Sequence, residues 1–190
     1  MTEPGDREIL RVLARTLDPA TTCARLKINR AQLRQCLERA AQGEEPESVP
    51  GAETPGAFTL NIDGAARGNP GPAGAGVVIR AGGKIFEEFG EYLGETTNNQ
   101  AEYRALVLAL RQARQWGVRE VAVLSDSELL VKQMLGEYRV KNVSLKLLYQ
   151  RVKQLQSQFQ NFTIGHIPDE KKLEAHQLAG RALKSGGTIL

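Results

Sequence analysis

Cysteine is scarce. Cys23 and Cys36 are the only two in 190 residues. Two thiols do not make the disulfide framework that staples small secreted domains. Both fall in candidate helices beside apolar residues, so buried thiols are expected rather than a redox or metal pair. Long apolar runs are also missing, and none approaches the length of a membrane span. The opening residues, MTEPGDREIL, lack a basic start followed by an apolar stretch, so no secretion signal is expected. Together these absences predict a cytoplasmic chain without membrane association.

Charge of neither sign dominates. The formal net charge is +3, with 41% hydrophobic and 25% charged residues, as in an ordinary globular protein. The length allows one good domain and a small appendage. Residues 1–56 hold 8 Lys and Arg against 9 Asp and Glu, while 57–190 hold 17 against 13. The basic surplus in the second part suits a polyanion, and equally a solvated face without a partner.

The segment 43–56, GEEPESVPGAETPG, is rich in Gly, Pro and Glu and reads as a flexible linker. Before it, 1–42 reads as a small helical unit. Ile9, Leu10, Leu13 and Leu17 share one helical face, Pro19 breaks the helix, and ATTCARLKI makes a short second one. Asn29 is placed to cap a third, with Leu33, Cys36, Leu37 and Ala40 on one side. Three short helices with a tight turn resemble a helix-turn-helix. Arg30, Gln32, Arg34 and Gln35 then either add a nucleic-acid contact or form an exposed polar face.

After the linker, 57–190 predicts an α/β domain. AFTLNID alternates as a strand. GAARGNPGPAG reads as a turn. AGVVIRA and KIFEEFGEYLG are two further strands joined at Gly82-Gly83. Asn98 or Asn99 caps a helix to about Gln115, with Leu106, Ala109, Leu110 and Ala113 buried. VREVAVLSD is a fourth strand, SELLVKQMLG a short helix, and SLKLLYQRVKQLQSQF a longer one capped by Ser144. FTIGHI and KLEAHQLAGRALK close the pattern as strand and helix. A five-stranded mixed sheet with helices on both faces follows.

Three acids stand where solvation explains them poorly. Asp63 ends the first strand, Glu102 opens an apolar helix, and Asp126 follows the fourth strand. Carboxylates that converge repel one another unless a divalent cation neutralises them. Such sites move phosphoryl groups in nucleic acids.

The residues around these acids resemble the type 1 ribonuclease H family in its compact prokaryotic form. The resemblance rests on IDGAARGNPGPAG at 62–74, TTNNQAEYRAL at 96–106, LSDSELLVKQMLGEYRVKN at 124–142 and HIPDEKKLEAHQLAGRA at 166–182. It covers nearly all of 57–190 and implies a ribonuclease H-like fold. It implies a metal-dependent endonuclease that cuts the RNA strand of RNA–DNA hybrids, leaving 5′-phosphate and 3′-hydroxyl ends. It also implies two Mg2+ or Mn2+ ions held by Asp63, Glu102 and Asp126. Where the family has a fourth Asp, this chain has His176. As the expected fourth metal ligand, its imidazole brings no negative charge and suits Mn2+ better than Mg2+. The alternative is a weakly active or non-catalytic nucleic-acid-binding protein of the same fold. His166 matches a family histidine that shuttles protons; packing against the sheet is its other role. For the hybrid, Gly64, Ala65, Gly68 and Asn69 would lie close to the ligand. Asn98, Asn99, Gln100 and Ser127 would read ribose and base edges. Thr97 would hold a phosphate, and Arg139, Lys141 and Asn142 the backbone further along. A monomer is expected.

Overall fold

The alternation in FTLNID sends Leu60 and Ile62 to one face of a strand and Asn61 and Asp63 to the other. In the computed structural model this strand, β1 (Phe58–Ala66), is the middle of a five-stranded sheet. The structure describes residues 30–42, 58–167 and 173–189, together with 9, 10, 12, 13, 19, 20 and 23. β2 (Gly71–Ala81) pairs antiparallel with β1, and β3 (Lys84–Thr96) antiparallel with β2. On the other side β4 (Glu120–Ser125) runs parallel to β1, and β5 (Asn161–His166) parallel to β4. The sheet order is therefore β3-β2-β1-β4-β5.

The hairpin falls where two adjacent glycines predict it. Gly82 and Gly83 have φ of 56° and 79°. Two positive φ values match the twist of a tight hairpin turn, and glycine adopts them without Cβ strain. The glycine-rich stretch after Asp63 is less of a turn than its composition suggests. Only residues 67–70 leave the sheet, while Ala65 and Ala66 pair with Gly74 and Ala73.

α2 (Asn98–Gln115) covers one face of the sheet, with Leu106, Ala109, Leu110 and Ala113 buried as their spacing requires. α1 (Arg30–Ala41) precedes the sheet in the chain, and α3 (Glu128–Met134) and α4 (Val143–Gln156) follow β4. The main core joins Leu60, Ile62, Val77 and Ile79 of the sheet to Tyr103, Leu106 and Leu110 of α2 and Val152 and Leu155 of α4. α5 (Leu173–Ser185) lies on the opposite face, where Val78 meets Ala175 and Leu178. The expected mixed sheet with helices on both faces is the fold observed.

Two helix starts differ from expectation. Thr97, not Asn98 or Asn99, caps α2, because β3 runs to Thr96 and leaves only position 97 for the cap. The Thr97 hydroxyl accepts from the Gln100 N–H at 3.3 Å, and Gln100 Oε1 accepts from the Thr97 N–H at 3.2 Å. This reciprocal capping box satisfies two otherwise orphaned donors. Replacing Thr97 with Ala should cost about 1 kcal/mol in urea denaturation; an unchanged midpoint would show that the box is dispensable. Asn142, not Ser144, caps α4, since its side chain accepts from the Leu145 N–H at 3.1 Å and Ser144 already lies inside the helix.

By its internal contacts the chain divides into Met1–Thr54 and Pro55–Leu190. In the first unit α1 buries Leu33 and Cys36, which pack with Ile9. Most of the other two helices expected in 1–42, and all of 43–56, lie outside the described residues, so the helix-turn-helix likeness is not carried by what is described. No helix among the described residues is long and apolar enough to cross a membrane.

Candidate metal centre and nucleic-acid interface

The parallel pairing of β1 with β4 sets Asn61 opposite Leu124. Asp63 lies two residues further along β1, and Asp126 two residues past Leu124, just after β4 ends, so the sheet register itself brings these acids level. Glu102 arrives from α2, one turn past the helix start. Its approach depends on Gly64. A Cβ built on Gly64 would lie 2.3 Å from Ala101 C and from Glu102 N, so α2 backbone rests directly on β1. As a result one carboxylate oxygen from each of Asp63, Glu102 and Asp126 lies within 4.8 Å of the others. Asp63 and Glu102 are buried at 2% and 4% exposure, and Asp126 is half-buried.

These are hard oxygen donors, and their closeness fits one divalent cation such as Mg2+ or Mn2+. Such an ion, when bound, polarises a phosphoryl oxygen or activates water. The fourth position is different. His176 projects from α5 with its side chain 60% exposed, and its Nδ1 lies 3.2 Å from Asp63 Oδ2. An ionised carboxylate only accepts, so Nδ1 carries the hydrogen in this contact. The nitrogen that faces Asp63 is thus a donor, and His176 is not in the group of candidate ligands among the described residues.

That arrangement overturns the expectation of a fully armed endonuclease cutting the RNA strand of hybrids. Three carboxylates converge, not four, and the fourth place holds a hydrogen-bond donor to Asp63. The site has one negative charge fewer to hold a second cation, and Asp63 is engaged by imidazole. The geometry fits the alternative, a weakly active or non-catalytic protein of this fold.

His166 ends β5 beside Ser125 of β4. Its Nε2 lies 3.1 Å from the Asp126 carbonyl, which only accepts, so the ring donates to it. The ring therefore ties β5 to the main chain of a carboxylate residue.

Several residues expected to touch substrate have work inside the protein. Asn69 Oδ1 accepts from the Asn98 N–H at 3.2 Å, and Asn98 Oδ1 accepts from the Ala66 N–H at 3.2 Å. These bonds lace the exposed turn at Gly68 and Asn69 to the start of α2. Thr97 and Gln100 form the capping box, and Ser127 caps α3 by accepting from the Leu130 N–H at 3.4 Å. Asn99, Arg139 and Lys141 are exposed. Residues 64–69 and 97–100 thus gather at the Asp63 end of β1. Arg139, Lys141 and Asn142 lie on the separate loop before α4. Sequence reasoning missed Gly74, Gly76 and Gly90 as the seat of α5, and the Arg80–Glu174 ion pair beside it. The one available signal was the spacing of Gly74 and Gly76, which bares two successive positions on one face of a strand.

Comparison with known proteins agrees with this geometry. The family described as "Reverse transcriptase-like" matches residues 61–182. A ribonuclease HI of Halobacterium salinarum is 37% identical over 146 residues, covering 75% of this chain and 73% of that protein. A bifunctional protein of Mycobacterium tuberculosis is 40% identical over 126 residues, but this chain spans only 35% of its length. Among solved structures, ribonuclease H1 of Halobacterium salinarum superposes with a TM-score of 0.67 at 38% identity, covering 68% of this chain and 99% of that one. LC11-RNase H1, crystallised with an RNA/DNA hybrid, gives 0.65 at 41% identity, covering 68% of this chain and 98% of that one. On its fold, its clustered carboxylates and these relatives, the chain belongs to the type 1 ribonuclease H family, in its compact form.

Proposed function

We propose that this protein binds RNA–DNA hybrid through its ribonuclease H fold and cleaves it weakly or not at all. The observation that carries the reading is the His176 contact to Asp63 at 3.2 Å, in the place of a fourth carboxylate. Hybrid binding is supported by the crystallised complex of LC11-RNase H1 and by the basic surplus of 57–190. One Mg2+ or Mn2+ held by Asp63, Glu102 and Asp126 would lower their mutual repulsion and favour an approaching phosphate. Asn99, Arg139 and Lys141 are exposed side chains of the expected interface. The protein acts as a monomer.

The test pairs two measurements on the full chain. Anisotropy with labelled hybrid should show saturable, salt-sensitive binding that exceeds binding to the matching DNA duplex. Single-turnover assays with Mg2+ and with Mn2+ should show little or no cleavage. Turnover of about 1 s⁻¹ or faster, typical of enzymes, would overturn the reading, as would equal affinity for hybrid and DNA duplex.

A further inference from the structure

We infer that Gly76, flanked by Gly74 and Gly90, is the residue that positions His176 on Asp63. The inference rests on the reading that this contact holds the site in a weak state.

α5 lies unusually close to the sheet because three positions beneath it have no side chain. A Cβ built on Gly76 would stand 1.9 Å from Ala175 O and 2.7 Å from Ala179 N. On Gly74 it would stand 2.4 Å from Ala179 O, and on Gly90, 2.7 Å from Leu178 O. In all three cases the nearest atom is helix backbone, which cannot swing aside as a long side chain can. Gly76 is also the direct partner of Asp63 across β1 and β2. One residue thus lies under Ala175, the neighbour of His176, and beside the strand position of Asp63. The distance from α5 to β2 sets the reach of the imidazole.

Two clamps hold the helix down on this seat. Arg80 of β2 pairs with Glu174, two positions before His176. At the far end Ile189 exchanges two hydrogen bonds of 2.8 Å with Gly90 and packs with Val78, Ala175 and Leu178. The tolerance is small. Real Cβ contacts essentially never fall under 3.0 Å, so an alanine at position 76 forces Ala175 O back from 1.9 Å. A retreat of about 1 Å carries a 3.2 Å contact beyond hydrogen-bond range.

The experiment compares the parent with Gly76→Ala, His176→Ala and the double variant. Gly180→Ala is the control, since Gly180 sits on α5 with nothing within 4 Å of its built Cβ. Ring 15N shifts at one fixed pH read the His176 tautomer, and calorimetry reads Mn2+ affinity. The parent should show hydrogen on Nδ1, and Gly76→Ala should lose that signature. Mn2+ affinity should rise roughly 2- to 10-fold in Gly76→Ala as Asp63 loses its donor. It should rise similarly in His176→Ala, with no further gain in the double variant. Gly180→Ala should match the parent in both measurements. Should Gly76→Ala not fold, Gly90→Ala carries the same comparison from the next strand. A folded variant that keeps the parent tautomer and Mn2+ affinity overturns the inference, and so does an equal gain in the His176→Ala background. Fast cleavage by the parent sinks the proposed function instead, and leaves this inference standing if Gly76→Ala still releases His176.

Discussion

Replacing His176 with Asp should raise divalent-dependent cleavage of RNA–DNA hybrid by on the order of 100-fold, the scale of adding or removing one well-aimed electrostatic group. The argument runs from charge. In the parent, Nδ1 donates to Asp63 Oδ2 over 3.2 Å. An aspartate there removes the donor and adds an anion to three others whose oxygens already lie within 4.8 Å. Without metal the variant should be less stable than the parent, because like charges meet near a buried Asp63. With Mg2+ or Mn2+ it should recover, since an ion that binds only the folded state stabilises it. His176→Asn separates charge from shape, because its amide places oxygen and nitrogen where the carboxylate would be. Cleavage should return with Asp and not with Asn, and the melting temperature should depend on metal far more in Asp. If Asp and Asn match the parent in both cleavage and metal response, position 176 does not govern the site.

The sequence made β1 legible through its alternation, and the boundary between β2 and β3 through two adjacent glycines. The hairpin at Gly82 and Gly83 and the buried stripe of α2 follow from local periodicity alone. Asp63, Glu102 and Asp126 were also legible as acids that solvation explains poorly, although Asp63 lies inside β1 and does not end it, because pairing with β2 continues to Ala66. What stayed hidden depends on contacts distant in sequence. Asn98 looked like a hybrid contact, yet its side chain accepts from Ala66, 32 residues away. Gly64 looked like a bare approach to a ligand, yet it is α2 that presses against it. The glycine-rich motif after Asp63 looked like a turn, although sheet pairing resumes at Gly71 because β2 and β3 continue beyond the apolar runs that mark them. His176 was visible as a departure, but its hydrogen bond to Asp63 required the position of α5. Local pattern thus determines elements, and the distance between elements decides what a site can do.

Gly64→Ala carries the other large expected effect, and it tests that distance directly. In a strand, alanine is normally the better residue, because glycine loses more backbone entropy on folding, a difference of roughly 0.5–1 kcal/mol. Here the added carbon meets Ala101 C and Glu102 N at 2.3 Å and Ala101 O at 2.6 Å, all of them backbone. Overpacking of this kind costs about 1–3 kcal/mol, and backbone on both sides places this site at the upper end. The collision outweighs the entropy gain, so urea denaturation should show a net loss of about 2 kcal/mol. The strain should also reach the carboxylates. α2 can relieve the clash only by moving its first turns away from β1, and Glu102 moves with them. Mn2+ affinity should therefore fall by about tenfold, the weight of 1.4 kcal/mol in one ligand contact. Glu102→Gln removes the same ligand charge without moving the helix, so it should lower Mn2+ affinity while leaving stability near or above the parent's. A Gly64→Ala protein that is as stable as the parent and binds Mn2+ equally well would show that α2 adjusts without carrying Glu102 away. The contact between α2 and β1 would then be packing alone, with no bearing on the metal centre.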